Sequence, residues 1–200
     1  MTKEVYEKLE NIVIIGSGGR ENSLAWAIQK NKLIKNIYLI PGNGGSVSIR
    51  KCKNLDLDYE NKNLLIETLN SLDIDLIIIG PEIPLAKGLS DFLRSKNFQV
   101  FGPNSDGAKL ESSKSWAKSF MREANIPTAK YWEVSSVEES EKIISTSKFP
   151  LVVKADGLAS GKGVFIPETL EDTLKITKEI INGKFGESGK IVLLEEKIEG

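Results

Sequence analysis

"VVKADGLASGKGV", residues 152–164, sets two lysines and three glycines around a short loop, and two folds compete for it. The phosphate-binding loop of the P-loop enzymes follows G-x-x-x-x-G-K-[ST] and opens a helix. Here only three residues separate Gly157 from Gly161, Lys162 is followed by Gly163 instead of a hydroxyl, and "VFIPE" reads as a strand stopped by Pro167. Three requirements fail together. The better reading is an antiparallel hairpin, "LVVKAD" against "GVFI", joined by a flexible loop "GLASGK" whose amides and Ser160 hydroxyl can fold over a polyphosphate. Lys154 on the first strand is then a fixed cation, and Lys162 can reach in from the loop. The plainer alternative is a surface hairpin with solvated lysines, although hairpin tips seldom need three glycines so close together.

On either side of this hairpin the second half predicts strand 130–134, helix 137–146, strands 150–155 and 163–166, helix 168–182, a turn "NGKFGESG" and a last strand "KIVLLEEKI". The first half alternates short apolar runs with amphipathic segments, the pattern of βα units and a mainly parallel sheet. Its strand candidates are 12–15, 37–40, 76–79 and 99–101, each ending in a glycine or proline turn. In an open parallel sheet these turns share the carboxyl edge, where ligands bind. Helical periodicity covers 63–72, 85–95 and 108–125, the last with Trp116, Phe120 and Ala124 at spacing four. Pro127 disfavours helix at Ile126 and marks a boundary.

"IVIIGSGGRENSLAWAI" begins like a dinucleotide-binding unit, but the third glycine of G-x-G-x-x-G would fall at 21, which is Glu21. The second strand, moreover, runs into Pro41-Gly42-Asn43 where an acidic residue for a ribose is wanted. What survives is a glycine turn that lets an anion approach a helix N-terminus, with Arg20 able to add a charge-assisted bond. The alternative is a tight turn whose Arg20 and Glu21 merely face solvent.

Bulk composition narrows the chemistry. Charge is balanced, 27 basic against 28 acidic side chains, so nothing suggests a face for nucleic acid or a membrane anchor, and small-molecule partners are expected. The chain has one cysteine, Cys52, which fits a reducing cytoplasm, and no histidine. Ser-His and Cys-His nucleophile pairs are thereby excluded, and chemistry must run on lysine, arginine, carboxylates, backbone amides and a bound cofactor.

Residues 152–164 resemble the glycine-rich flap of the ATP-grasp ligases. "NIVIIGSGGRENSLAWAI", "PGNGGS", "IIIGPEIPLAKGL", "VFGPNSDGAKLESSKSWAKSFM", "NIPTA" and "PLVVKADGLASGKGVF", in that order, are similar to the phosphoribosylamine–glycine ligase family. The resemblance implies an α/β architecture: an N-terminal Rossmann-like, substrate-binding domain (1–112), a connecting helix with the start of the ATP-grasp core (113–129), and a small α+β flap subdomain ending in a hinge strand (130–200). It also implies ATP-dependent joining of glycine to 5-phosphoribosylamine, in which the glycine carboxylate takes the γ-phosphate and the amine then displaces it.

The same resemblance assigns residues. Lys114 and Lys154 would contact ATP phosphates, with Lys154 also catalytic, and Gly157, Ser160, Gly161, Lys162 and Gly163 would form the flap. Glu195, Glu196, Lys197 and Ile198 would be the hinge against the adenine, with Leu193 and Leu194 as an apolar bed and Glu195 near the exocyclic amine. Gly18, Gly19, Arg20, Glu21, Asn43 and Glu82 would face phosphoribosylamine. Two departures stand out. Asn22 follows the GGRE loop where the family commonly has histidine, and the family's chains are about twice as long. Magnesium ligands are therefore expected beyond Gly200, none within this chain, which is expected to be an incomplete, inactive portion of a monomeric or weakly dimeric enzyme. Another ATP-grasp carboxylate–amine ligase and a non-catalytic nucleotide-binding module stay open as alternatives.

Overall fold

The computed structural model describes residues 9–159 and 162–198, apart from the side chain of Glu187. Two compact units divide between Gly107 and Ala108. In the first unit β1 (Asn11–Gly16), β2 (Asn36–Pro41), β3 (Cys52–Asn54), β4 (Leu76–Ile79) and β5 (Val100–Phe101) form one parallel sheet in the order β3-β2-β1-β4-β5. Strand β1 pairs on both sides, Ile14 with Leu39 and with Ile78. Ile12 to Ile15 are all buried. A strand covered on both faces needs a continuous apolar run, and the sequence supplies one. Strand order reverses at β1, so its carboxyl end is the switch point at which such sheets bind ligands.

The helices of this unit are α1 (Gly19–Ile28), α2 (Lys62–Ser71), α3 (Glu82–Ala86), α4 (Leu89–Ser95) and, running past the boundary, α5 (Ser105–Ser112). Two expectations are corrected. The helix read over 85–95 starts earlier and is two helices, because Gly88 adopts a left-handed conformation (φ 76°) between them. The helix read over 108–125 also divides, at Ser113, whose backbone is extended and whose hydroxyl accepts the Trp116 N–H at 3.2 Å. A serine that caps a new helix is indistinguishable by periodicity from one on a polar face. Strand β3 escaped sequence reading for the opposite reason. It is a three-residue edge, "CKN", with no apolar run to betray it.

The second unit contains α6 (Lys114–Glu123), β6 (Tyr131–Val134), α7 (Val137–Thr146), β7 (Val152–Ala155), β8 (Val164–Phe165), α8 (Leu170–Glu179) and β9 (Val192–Glu195). Its antiparallel sheet runs β6-β9-β7-β8, and β7 with β8 is the expected hairpin, Lys154 opposite Val164. The helix read over 168–182 stops at Glu179 and passes into a wider turn through Ile180–Lys184, where Gly183 takes φ 104°. Period-two alternation gives this sheet two distinct faces. Val134, Val153, Ala155, Val192 and Leu194 face a core that also takes Ile144 of α7 and Leu174 of α8. Tyr131, Val152, Lys154, Leu193 and Glu195 occupy alternate positions and share the other face. Among the described residues no helix is long and apolar enough to cross a membrane.

Candidate functional site

At the carboxyl edge of the first sheet, all six residues expected around a substrate lie on the loops after β1, β2 and β4 or in the first turn of the helix that follows. Gly18 precedes α1, and its N–H donates to Glu21 Oε2 at 2.6 Å. Glu21 is buried, only 3% exposed. It neither faces solvent nor projects from the turn: its carboxylate fills the space beside Gly16, Gly18 and Gly80. A Cβ built at Gly80 would overlap Glu21 Oε1, so the glycine after β4 makes room for a side chain of this protein. Arg20 turns the other way. Its guanidinium donates to the Gly80 carbonyl at 2.5 Å and to Glu82 Oε1 at 2.6 Å. The Arg20 hydrogen bond holds the Glu82 carboxyl below its usual range, helped by a backbone N–H at the start of α3.

Asn43 ties the loops together. Its amide donates to the Ser17 carbonyl at 2.6 Å, and its Oδ1 accepts the N–H groups of Gly45 and Ser46. Asn54, which sequence reading passed over with β3, donates to the Asn43 carbonyl at 2.7 Å and accepts from the Ser46 hydroxyl. Gly19 begins α1 with no atom within 4 Å of the place its Cβ would take. That open space lies in the first turn of the helix, whose N-terminus is where an anion is favoured.

In the second unit three lysines gather on the face of the sheet away from its core. Lys114 opens α6, and its Nζ donates to the carbonyls of Asp156 and Gly157 at 3.1 and 3.0 Å. The Asp156 carboxylate accepts the Ser115 N–H at 2.6 Å and the Ser113 hydroxyl at 3.1 Å. The start of the loop is thus clamped to the N-terminus of α6, an anchor visible in sequence only as the residue after "KA". Burial pushes the Lys114 ammonium below its usual pKa of 10.5; the Asp156 and Glu111 carboxylates oppose that shift, and Lys154 adds to it.

Lys154 Nζ lies 2.8 Å from Glu195 Oε2, and Lys118 Nζ lies 3.2 Å from the same oxygen. Lys118, overlooked in the sequence, stands one helical turn beyond Lys114 and therefore shares its face of α6, a spacing from which it could have been found. Leu193 and Leu194 are fully buried, and Leu194 belongs to the core, whereas Ile191 before this strand and Ile198 after it are exposed. Glu196, Lys197 and Ile198 continue past β9 on the surface, and the Glu196 N–H donates to the Lys130 carbonyl at 2.9 Å.

Of the flap residues, Gly157 packs where a Cβ would meet Ser188 Oγ at 2.6 Å. Gly163 accepts the Ala155 N–H at 2.8 Å, and the Lys162 N–H donates to Ala159. Ser160 and Gly161 lie outside the described residues. Among those described, Lys114 meets carbonyls and no carboxylate, while Lys154 shares its one carboxylate with a second cation. Such under-neutralised, partly desolvated ammonium groups suit a phosphate chain.

Residues 10–111 match the N domain of phosphoribosylglycinamide synthetase, and residues 112–200 match its ATP-grasp (A) domain. The chain belongs to the phosphoribosylglycinamide synthetase family. A relative in Clostridium acetobutylicum, a phosphoribosylamine–glycine ligase, is 43% identical over 194 residues, covering 94% of this chain and 45% of its own. The crystal structure of a phosphoribosylamine–glycine ligase from Thermotoga maritima superposes with a TM-score of 0.74 at 34% identity, covering 95% of this chain and 44% of that one. This family member thus spans a little under half the length of these two relatives. The biotin carboxylase domain of a Hydrogenobacter thermophilus 2-oxoglutarate carboxylase, in complex with MgADP, reaches the same TM-score at 18% identity, which shows a shared fold and nothing more.

Proposed function

We propose that this chain supplies the phosphoribosylamine-binding and phosphate-gripping parts of an ATP-dependent carbon–nitrogen ligase that joins glycine to 5-phosphoribosylamine. The observation that carries this reading is the group of lysines, Lys114 and Lys154 foremost, on the open face of the flap sheet in a chain of this family. Both would lie against phosphate oxygens. Positive charge held in place before reaction offsets the negative charge that moves as a phosphoryl group passes from ATP to the glycine carboxylate. The phosphoribosylamine phosphate would sit before Gly18 and Gly19 at the α1 N-terminus, with Arg20, Asn43 and Glu82 around the sugar. Glu21 supports that loop from beneath.

Magnesium would arrive with the triphosphate. Among the described residues no three or more Cys, Asp or Glu side chains converge as a metal site, and the roles assigned to this chain run through its lysines. Partners are small molecules, and the compartment is the cytoplasm, where Cys52 stays reduced.

The test is ADP release by the full-length protein that carries this sequence. Turnover is expected only with glycine and phosphoribosylamine together, and Lys154→Ala should weaken ATP binding by about 1.5–3 kcal/mol, the worth of a charge-assisted contact. Turnover with a different carboxylate and amine would assign the chain to another ATP-grasp ligase. ATP binding with no turnover under any combination would make it a nucleotide-binding module instead.

A further inference from the structure

We propose that Lys118 is a positioning residue for the nucleotide site: by sharing the Glu195 carboxylate with Lys154, it leaves Lys154 with charge to spare for a phosphate chain. The inference rests on the nucleotide reading of that face and adds to it a residue that makes no contact with the ligand.

The two lysines use one carboxylate oxygen very differently. Lys118 is 8% exposed, and besides Glu195 its Nζ reaches Thr128 Oγ1 at 2.7 Å and the Ala129 carbonyl at 3.3 Å, with the Tyr131 ring 5.4 Å away. An ammonium has three N–H donors; two of those of Lys118 go to Thr128 and Ala129, and the buried group otherwise faces the Glu195 carboxylate and the Tyr131 ring. Little of it is open to a ligand. The Lys154 side chain is more exposed, 26% against 10%, and Glu195 is its one hydrogen-bond partner among the described residues. Donors and an approach for solvent are both left on Lys154.

Charge explains why the second cation is there. A Lys154–Glu195 pair by itself is neutral, and a phosphate approaching it would have to compete with the carboxylate for the ammonium. Adding Lys118 gives the group two cations and one anion, a net positive charge in a partly desolvated place. Such an excess is unfavourable until an anion neutralises it. The arrangement is built across elements: Lys118 comes from α6, Lys154 from β7 and Glu195 from β9, so all three must be folded before the excess charge exists.

Equilibrium binding of ATP and of adenosine to the full-length protein separates this role from a purely structural one, because adenosine carries the base and sugar without the charge. Lys118→Met is expected to weaken ATP binding roughly ten-fold or more while adenosine binding stays near wild type. Lys118→Arg, which keeps the cation, should preserve most of the preference for ATP over adenosine. In Lys118→Met/Glu195→Gln the carboxylate no longer claims Lys154, so that preference should return to near the wild-type value. The double variant leaves no unpaired buried carboxylate, and it decides the matter even if Lys118→Met does not fold. Equal losses for ATP and adenosine in Lys118→Met, or a folded double variant whose preference for ATP over adenosine stays about ten-fold or more below that of wild type, would overturn the inference. A wild-type protein that binds neither ligand would instead remove the nucleotide reading on which it rests.

Discussion

At the end of β1 the glycines make room for a carboxylate of the protein itself, whereas beyond β7 they lie beside cations that the protein only partly neutralises. Glu21 is buried among Gly16, Gly18 and Gly80 and bonded to the Gly18 amide, so that loop is set before any ligand arrives. Lys114 and Lys154 are held in place, the first by carbonyls and the second by half a carboxylate, yet their charge is not cancelled. Similar letters in the sequence therefore mark different physics. Gly16 and Gly80 stand where a Cβ would overlap the Glu21 carboxylate, and Gly157 where one would meet Ser188, so what sets the second unit apart is the lysine framework at the base of the flap.

The contrast breaks most readily at Gly80. An alanine there must displace the buried Glu21 carboxylate from its bond to the Gly18 N–H, and overpacking of this kind costs about 1–3 kcal/mol. Gly19→Ala, on the same edge after the neighbouring strand β1, meets nothing and places a better helix former in the first turn, so its cost should be close to zero. Denaturant unfolding of the two variants compares them directly. Adding Glu21→Ala to Gly80→Ala should recover part of the loss, since the two side chains occupy one space. Equal destabilisation by the two alanines would mean that Glu21 is not what the glycines accommodate.

The lysine framework is sharpened by pH. Burial lowers the Lys114 pKa below 10.5, so in the free protein the charged form carries a cost that is fully present below the lowered value. That cost disappears as pH rises from the lowered value towards 10.5, and stability drawn from this group rises over the same window. A bound phosphate reverses the preference by favouring the ammonium. ATP affinity should therefore fall with rising alkaline pH, beginning below 10.5, and binding in that range should take up a proton. Calorimetry in two buffers of different ionisation enthalpy reads the proton directly, and Lys114→Met should abolish the uptake. Uptake that survives the substitution would place the titrating group elsewhere.

Much of this was legible beforehand because it depends on local pattern. The apolar run 12–15, stopped by a glycine turn, reads as a strand of a parallel sheet, and the failure of "GLASGKG" as a phosphate-binding loop led directly to the β7–β8 hairpin. Residues that act through distant partners were not legible. Glu21 reads as facing a substrate or solvent beside Arg20, and only the tertiary approach of Gly80, just after another strand, puts it inside. Lys118 reads as one more solvated lysine on an amphipathic helix until β9 brings Glu195 to it. Asp156 gains its role from Ser113 and Ser115, some forty residues earlier. In each case the spacing fixes which face a residue occupies, but the partner comes from the order of strands.

The smallest effect belongs to the ion pair of Arg20 with Glu82 at the first site, whose side chains are both substantially exposed. Glu82 has a lowered carboxyl pKa chiefly because Arg20 donates to it, so the pair contributes stability above the ordinary carboxylate value of 4.5, and that contribution is lost as pH falls through the lowered value. Solvent screening limits such a pair to about 0.2–1 kcal/mol. Arg20→Ala should therefore change the unfolding midpoint at neutral pH only slightly, while the Glu82 carboxyl, followed by NMR, titrates at a higher pH than in wild type. The same substitution should weaken phosphoribosylamine binding in the full-length protein and leave ATP binding unchanged, because Arg20 stands on the first unit's loop and the lysines stand on the second. Equal losses for both ligands would mean that the division of labour between the glycine edge and the lysine face is wrong.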